Sequence, residues 1–224
     1  MVKPPAPVCT IVGMGPGLSQ ALAARFAAGG FAIGMVARTP STLERMSALL
    51  EQQGAKSQGA VADVADAGAL TRALAAVHAA LGEPDVLIFN ASTLRMAVPS
   101  QLEPADLAQD LAVNVGGALA AAQAVLPSMR ARGSGCIIFT GGGSAFEPWV
   151  DAASLGVGKA AMRNLALAFA RELAPAGIHA ATVTVCGAIA PGTWYDPARI
   201  AEVFWDLHKD APGAFRGEVL YREP

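Results

Sequence analysis

The chain has 224 residues, 53% of them hydrophobic and 15% charged, with a formal net charge of −2. This composition excludes a disordered segment, and the small net charge removes any electrostatic case for nucleic acid or anionic lipid as a partner. The length suits one domain over residues 1–224 with a sizeable core.

No uninterrupted apolar run reaches the length of a bilayer span. Pro4, Pro5 and Pro7 interrupt the N-terminus where a signal peptide needs its apolar core. Cys9, Cys136 and Cys186 lack metal-ligand spacing, and Cys9 and Cys136 sit in apolar runs, as small buried thiols do. The expectation is a cytoplasmic protein with no metal site and no membrane or nucleic-acid partner.

In chain order, Val8 to Val12 reads as a strand. The turn Gly13-Met14-Gly15-Pro16-Gly17-Leu18-Ser19 follows, then a helix from Gln20 through Phe26. Phe31 to Ala37 reads as a buried strand ending at Arg38. Ser41 and Glu44 stand in capping-box spacing, which predicts a second helix from there to about Gln53. Ser57 to Asp63 is a weaker strand, and Asp66 caps a helix with apolar positions Leu70, Leu74, Val77 and Leu81. Asp85 to Phe89 is a short strand stopping at Asn90-Ala91-Ser92.

Glu103-Pro104 opens a long helix, since proline suits the first helical position; it contains Asn114 and is expected to bend near Pro127. Cys136 to Thr140 is a strand, and Gly141-Gly142-Gly143-Ser144 reads as a flexible turn. A further long helix runs from the early 150s to Ala174, followed by a strand from Ile178 to Val185. A loop through Trp194 and Tyr195 leads to a helix from Pro197 to about His208, and Glu218 to Tyr221 is the last strand. The alternation predicts an α/β fold: a single doubly wound parallel sheet (Rossmann fold) with helices on both faces. Ligands of such sheets lie at the carboxyl ends of the strands.

The glycine turn departs from G-x-G-x-x-G, because Leu18 takes the last place; it fits G-x-x-x-G-x-G with Ser19 in the third place. Glycines there allow a close approach to a pyrophosphate, with the N–H groups of the following helix facing the anion. By itself the turn also suits a strand–helix joint that binds nothing.

Taken with Asp63-Val64, Asn90-Ala91-Ser92, Asn114, Lys159 and the Gly177-Ile178 strand, the turn resembles the short-chain dehydrogenase/reductase family over Val8 to about Val185. The resemblance implies that Gly13 and Gly17 are the phosphate-turn glycines, with Gly15 and Leu18 also cofactor-binding, that Asp63 and Val64 contact the adenine, and that Asn90 and Ala91 lie beside the adenosine ribose. Asn114 would organise the proton path. Lys159 would bind the nicotinamide ribose and lower the pKa of a catalytic tyrosine. At the end of the second strand, Arg38 stands where a carboxylate would accept bonds from a ribose 2′-OH; an arginine pairs instead with a 2′-phosphate. NADP(H) is therefore expected over NAD(H).

The pattern breaks at the chemistry. The family's tyrosine, four positions before Lys159, is Leu155, and the serine thirteen positions earlier is Gly142. Neither donates a proton or steadies an alkoxide, contributions of about 10²–10⁴-fold for the acid alone. Of the two tyrosines, Tyr195 has a path to the pocket, either as loop packing or as a substitute donor. Ser154 would point about 100° away from Leu155, and Ser144 is a poor acid. Cys186, in place of the family's proline, reads as packing, and His78, His179 and His208 form no set.

Two readings follow. One is an NADP(H)-dependent oxidoreductase acting on a small carbonyl or alcohol with a weakened proton-donor site, its pocket lined by Leu94, Phe146, Trp149, Leu155 and Trp194. The other is a catalytically inactive NADP(H)-binding scaffold or sensor. The alanine-rich helices around Asn114 and Lys159 are expected to pair in a homodimer or homotetramer. Pro16 lacks an N–H and Ser19 is expected to crowd the turn, which predicts modest cofactor affinity.

Overall fold

A computed structural model describes residues 5–224; residues 1–4, including the Pro4 used in reading the N-terminus, lie outside the described residues. Seven strands form one sheet: β1 (Val8–Val12), β2 (Ala32–Ala37), β3 (Ser57–Val61), β4 (Val86–Phe89), β5 (Gly135–Gly142), β6 (Ile178–Val185) and β7 (Glu218–Tyr221). Their order is β3-β2-β1-β4-β5-β6-β7, and every pairing is parallel. The chain winds outward from β1 in one direction and then, from β4, in the other. The crevice between the carboxyl ends of β1 and β4 is thus the switch point where such sheets bind ligands.

Side-chain alternation on the strands divides the core in two. Cys9 and Ile11 of β1 face a layer formed by α1 (Leu18–Ala28), α2 (Pro40–Gln52) and α7 (Pro197–Leu207). Val12 faces a layer formed by α3 (Ala67–Leu81), α5 (Gly117–Arg132) and α6 (Ala153–Leu173). Phe26 and Phe204 anchor the first layer, and Phe89 and Phe139 anchor the second; all four are fully buried. The doubly wound sheet with helices on both faces agrees with the pattern in the sequence.

Four local expectations are corrected. Pro40 is the first residue of α2, so Ser41 is already helical, and the Ser41–Glu44 capping box does not form. β3 stops at Val61, before Asp63. The glycines Gly141 and Gly142 belong to β5, because β6 pairs with it through Gly141↔Thr184 and Gly142↔Val185. The long helix begins as α4 (Pro104–Leu111), and its irregularity is a π turn over Ala112–Gly116; α5 then continues through Pro127 to Arg132.

The stretch Pro104–Arg132, 29 residues, is long and apolar enough to cross a membrane by length and composition. Asp106, Asp110 and Asn114 interrupt it, so it is not an uninterrupted apolar run. In this fold one face of it is a core element, with Ala118, Ala121, Ala122 and Val125 fully buried against the sheet.

Candidate functional site

The carboxyl ends of β1 to β4 frame a cleft of about 190 Å³ that brings together Gly13, Arg38, Asp63, Val64, Asn90 and Ala91. At Gly13 the backbone takes φ of 88°, and a Cβ there would lie 2.5 Å from the Ala91 backbone, so only glycine lets β1 and β4 close this tightly. The Gly13 and Met14 N–H groups both donate to the Val36 carbonyl at 2.9 Å, which fixes the turn to β2. Gly15 and Gly17 face open space. Gly17 caps α1 with φ of 82°, no side chain caps that helix, and its first turn carries no acidic residue. The first N–H groups of α1, those of Leu18, Ser19 and Gln20, thus stay open to an anion, while the Ala21 N–H already bonds the Gly17 carbonyl.

Ser19 does not crowd the turn. It is buried, its hydroxyl donates to the Gly13 carbonyl at 2.7 Å, and the same oxygen accepts from Asn90 Nδ2 at 2.7 Å. The third-place serine therefore ties the turn to the end of β4. Asp63 Oδ1 accepts from the Ala65 N–H at 3.0 Å, which orients the carboxylate after β3. Arg38 is exposed and has no ion-pair partner among the described residues.

Asn114 sits in the π turn, 1% exposed. Its Oδ1 accepts from the Thr93 N–H at 2.9 Å, while its Nδ2 is buried with no partner. An orphaned buried amide marks a place for an acceptor from water or ligand. Gly158 on α6 makes this possible: a Cβ there would lie 2.8 Å from Asn114 Nδ2.

Past the ends of β5 and β6 lies a second cavity of about 830 Å³. Lys159 Nζ donates to the Thr140 carbonyl at 2.7 Å. Burial pulls the Lys159 ammonium down to about 8. Thr140 Oγ1, on the same wall, is buried without a partner. Gly142 and Leu155 line the cavity beside Lys159, so the sites of the missing serine and tyrosine face it together. Phe146 and Trp149 complete the apolar side as expected.

Leu94 and Trp194 are not on that wall. Leu94 is 57% exposed on the loop after β4, and Trp194 stacks on Tyr221 with Arg199 over its ring. Ile189, Leu220, Cys186 and Arg222 take their place. Cys186 is thus a cavity residue rather than packing, with its thiol pushed up by burial. β7 was visible in the sequence, but that its end reaches this cavity depends on its pairing with β6.

Tyr195 does not supply the missing phenol. Its hydroxyl donates to the Cys186 carbonyl at 2.9 Å and accepts from the Glu223 N–H at 3.3 Å, and its ring lies on Gly187. Ser154 is committed elsewhere too. Its hydroxyl donates to Asp110 Oδ2 at 2.7 Å, and Arg95 forks onto the same carboxylate at 3.0 and 3.2 Å. Burial pushes the Asp110 carboxyl up, but these hydrogen bonds outweigh it and hold the group below its usual range. The three histidines stay apart: His78 meets Thr10, His179 the Arg216 carbonyl and His208 the Trp205 carbonyl.

A sequence model of the short chain dehydrogenases matches residues 7–196. The chain belongs to the short-chain dehydrogenase family. Among curated members of that family, it is 33% identical over 133 residues to 2,3-dihydro-2,3-dihydroxybenzoate dehydrogenase of Escherichia coli K12, covering 59% of this chain and 51% of that one. It is 32% identical over 184 residues to galactitol 2-dehydrogenase (L-tagatose-forming) of Cereibacter sphaeroides, covering 81% of this chain and 69% of that one. The first of these alignments spans about half the relative's length. A solved metagenomic short-chain oxidoreductase in complex with NADP superimposes with a TM-score of 0.89 at 25% identity, covering 98% of each chain.

Proposed function

We propose that residues 1–224 act as one NADP(H)-binding domain of a short-chain oxidoreductase whose substrate is a small carbonyl compound or alcohol. The observation that carries this reading is the cleft at the switch point, where Gly13, Arg38, Asp63, Val64, Asn90 and Ala91 meet around open space. The chain fits the cofactor at both ends. The uncapped start of α1 suits its pyrophosphate, and the partnerless Asn114 Nδ2 leaves a donor inside the fold. Arg38, free of any carboxylate partner, suits a 2′-phosphate. The NADP in the metagenomic relative supports the same choice.

When bound, NADP(H) supplies or accepts the hydride. The proton must come from the chain. With Leu155 and Gly142 at the usual positions, Lys159 is the buried cation on the cavity wall; a desolvated lysine near 8 can hold a proton at neutral pH and release it to a developing alkoxide. One N–H is spent on Thr140, which leaves the others for ribose or substrate oxygen. Without a phenol and a serine hydroxyl, turnover is weakened rather than abolished.

The test is a panel of carbonyls with NADPH and alcohols with NADP, followed by nicotinamide absorbance in wild type and Lys159→Met. The expected result is slow turnover that falls a further ~10²-fold in the variant. Equal rates would remove Lys159 as donor. Tight binding with no turnover on any substrate would favour the second reading, an inactive NADP(H)-binding scaffold or sensor, which Leu155 and Gly142 support.

The free thiols Cys9, Cys136 and Cys186 support a cytoplasmic, reducing setting. Leu119 on α5 and Val157 on α6 are exposed apolar side chains, which supports pairing of these helices in a homodimer or homotetramer.

A further inference from the structure

The backbone at the end of β7 is pinned. The Cys186 N–H donates to the Tyr221 carbonyl at 2.9 Å, and the Tyr221 hydroxyl donates to the Trp194 carbonyl at 2.7 Å. Arg222, the next residue, therefore leaves a fixed point beside Cys186 and lines the 830 Å³ cavity together with Leu220.

Five of the twelve arginines are paired with a carboxylate among the described residues. Arg25, Arg95, Arg130, Arg163 and Arg216 each meet a carboxylate. Arg222 is exposed, has no carboxylate, carbonyl or ring partner among the described residues, and borders a cavity whose walls are mainly apolar. The other carboxylate-free arginine at a cavity is Arg38, in the nucleotide cleft. Glu147 also lines the larger cavity and has no ion-pair partner among the described residues. It leaves the guanidinium free and repels an anion placed at its own side. The volume lies within the range of small-molecule sites, and a guanidinium is the side chain best shaped to fork onto a carboxylate.

We infer that the cavity binds an amphipathic carboxylate: an aromatic or aliphatic body against Phe146, Trp149, Leu155, Ile189 and Leu220, with its carboxylate held by Arg222. The inference rests on the oxidoreductase reading in one respect only, that the reacting carbonyl or alcohol of this acid lies toward Lys159. The acid site itself stands on the cavity and Arg222.

Binding is measured by quenching of Trp149 fluorescence, with Trp149→Phe identifying the signal. The probes are naphthalene-2-carboxylate and its uncharged analogue 2-naphthylmethanol, against wild type, Arg222→Gln and Arg222→Lys. NADPH titration and thermal unfolding on each variant confirm an intact fold. The carboxylate is expected to bind wild type at least about tenfold more tightly than the alcohol. Arg222→Gln removes that preference, Arg222→Lys keeps part of it, and neither changes the alcohol's affinity. Equal affinity of the two probes for wild type, unweakened carboxylate binding by Arg222→Gln, or no quenching by either probe overturns the inference. Carboxylate binding without turnover on any oxo or hydroxy acid would instead overturn the oxidoreductase reading and leave the acid site standing.

Discussion

Gly142 lies directly against Lys159: a Cβ built on Gly142 would touch Lys159 Cγ, Cδ and Cε at 3.5–3.6 Å, ordinary contact with no overlap. The β5 position where the family carries its serine is therefore empty of side chain but not closed to one. Leu155, one helical turn before Lys159, faces the same cavity. Neither residue brings a hydroxyl to the cavity wall beside Lys159.

Placing hydroxyls there is the first prediction. Gly142→Ser with Leu155→Tyr should raise turnover of carbonyls with NADPH by about 10²–10⁴-fold over wild type, with each single change giving less. NADPH consumption under steady state checks it. A double variant that binds NADPH like wild type and turns over no faster would show that the absence of these hydroxyls is not what limits the chemistry.

The fold, and the gathering of Gly13, Arg38, Asp63 and Asn90 at one cleft, were legible because they depend on local patterns. Buried strands such as Val86–Phe89 stop at polar or glycine residues, and α3 announces itself through Asp66, whose side chain accepts from the Ala69 N–H. What stayed hidden depends on partners distant in sequence. Gly141 and Gly142 read as a flexible turn, but pairing with β6 extends the strand through them. Ser19 read as an obstruction, and only its meeting with Asn90 shows it to be a tether. The cavity wall formed by Leu220 and Arg222 needs β7 beside β6 before it exists at all. The π turn at Asn114 is not specified by its sequence, since the weak helix formers Val113, Val115 and Gly116 also occur in regular helices.

The second prediction concerns Ser19. Ser19→Ala keeps the volume but leaves the half-buried Asn90 Nδ2 without its acceptor and frees the Gly13 carbonyl. Urea unfolding should show a loss of about 1–2 kcal/mol, and NADPH affinity should fall because the turn loses its hold on β4. Unchanged stability and affinity would make the serine a filler.

Lys159 gives a pH signature. Its folded value of about 8 lies below the ordinary 10.5. Below pH 8 both folded and unfolded chains carry the proton, so the cost of the buried cation is present in full. Between pH 8 and 10.5 the unfolded chain binds more protons, and stability rises with pH. Lys159→Met should therefore be more stable than wild type at pH 7, by a margin that shrinks toward pH 10. Urea midpoints across that range test it; a constant margin would contradict the shifted lysine.

The proposed preference for NADP(H) rests on Arg38. Arg38→Ser removes a charge-assisted pair to a 2′-phosphate, worth about 1.5–3 kcal/mol, or roughly 10–150-fold in affinity. NADPH should weaken by that factor while NADH stays nearly unchanged, as read by fluorescence titration. Equal weakening of both would point to damage at the turn rather than loss of phosphate recognition.

The central question is whether the switch-point cleft takes a phosphorylated dinucleotide. Calorimetric titration of the wild-type chain with NADPH and with NADH measures this. NADPH should bind with one site per chain, at least about tenfold more tightly than NADH. NADH binding as tightly as NADPH, or no heat from either, would contradict it.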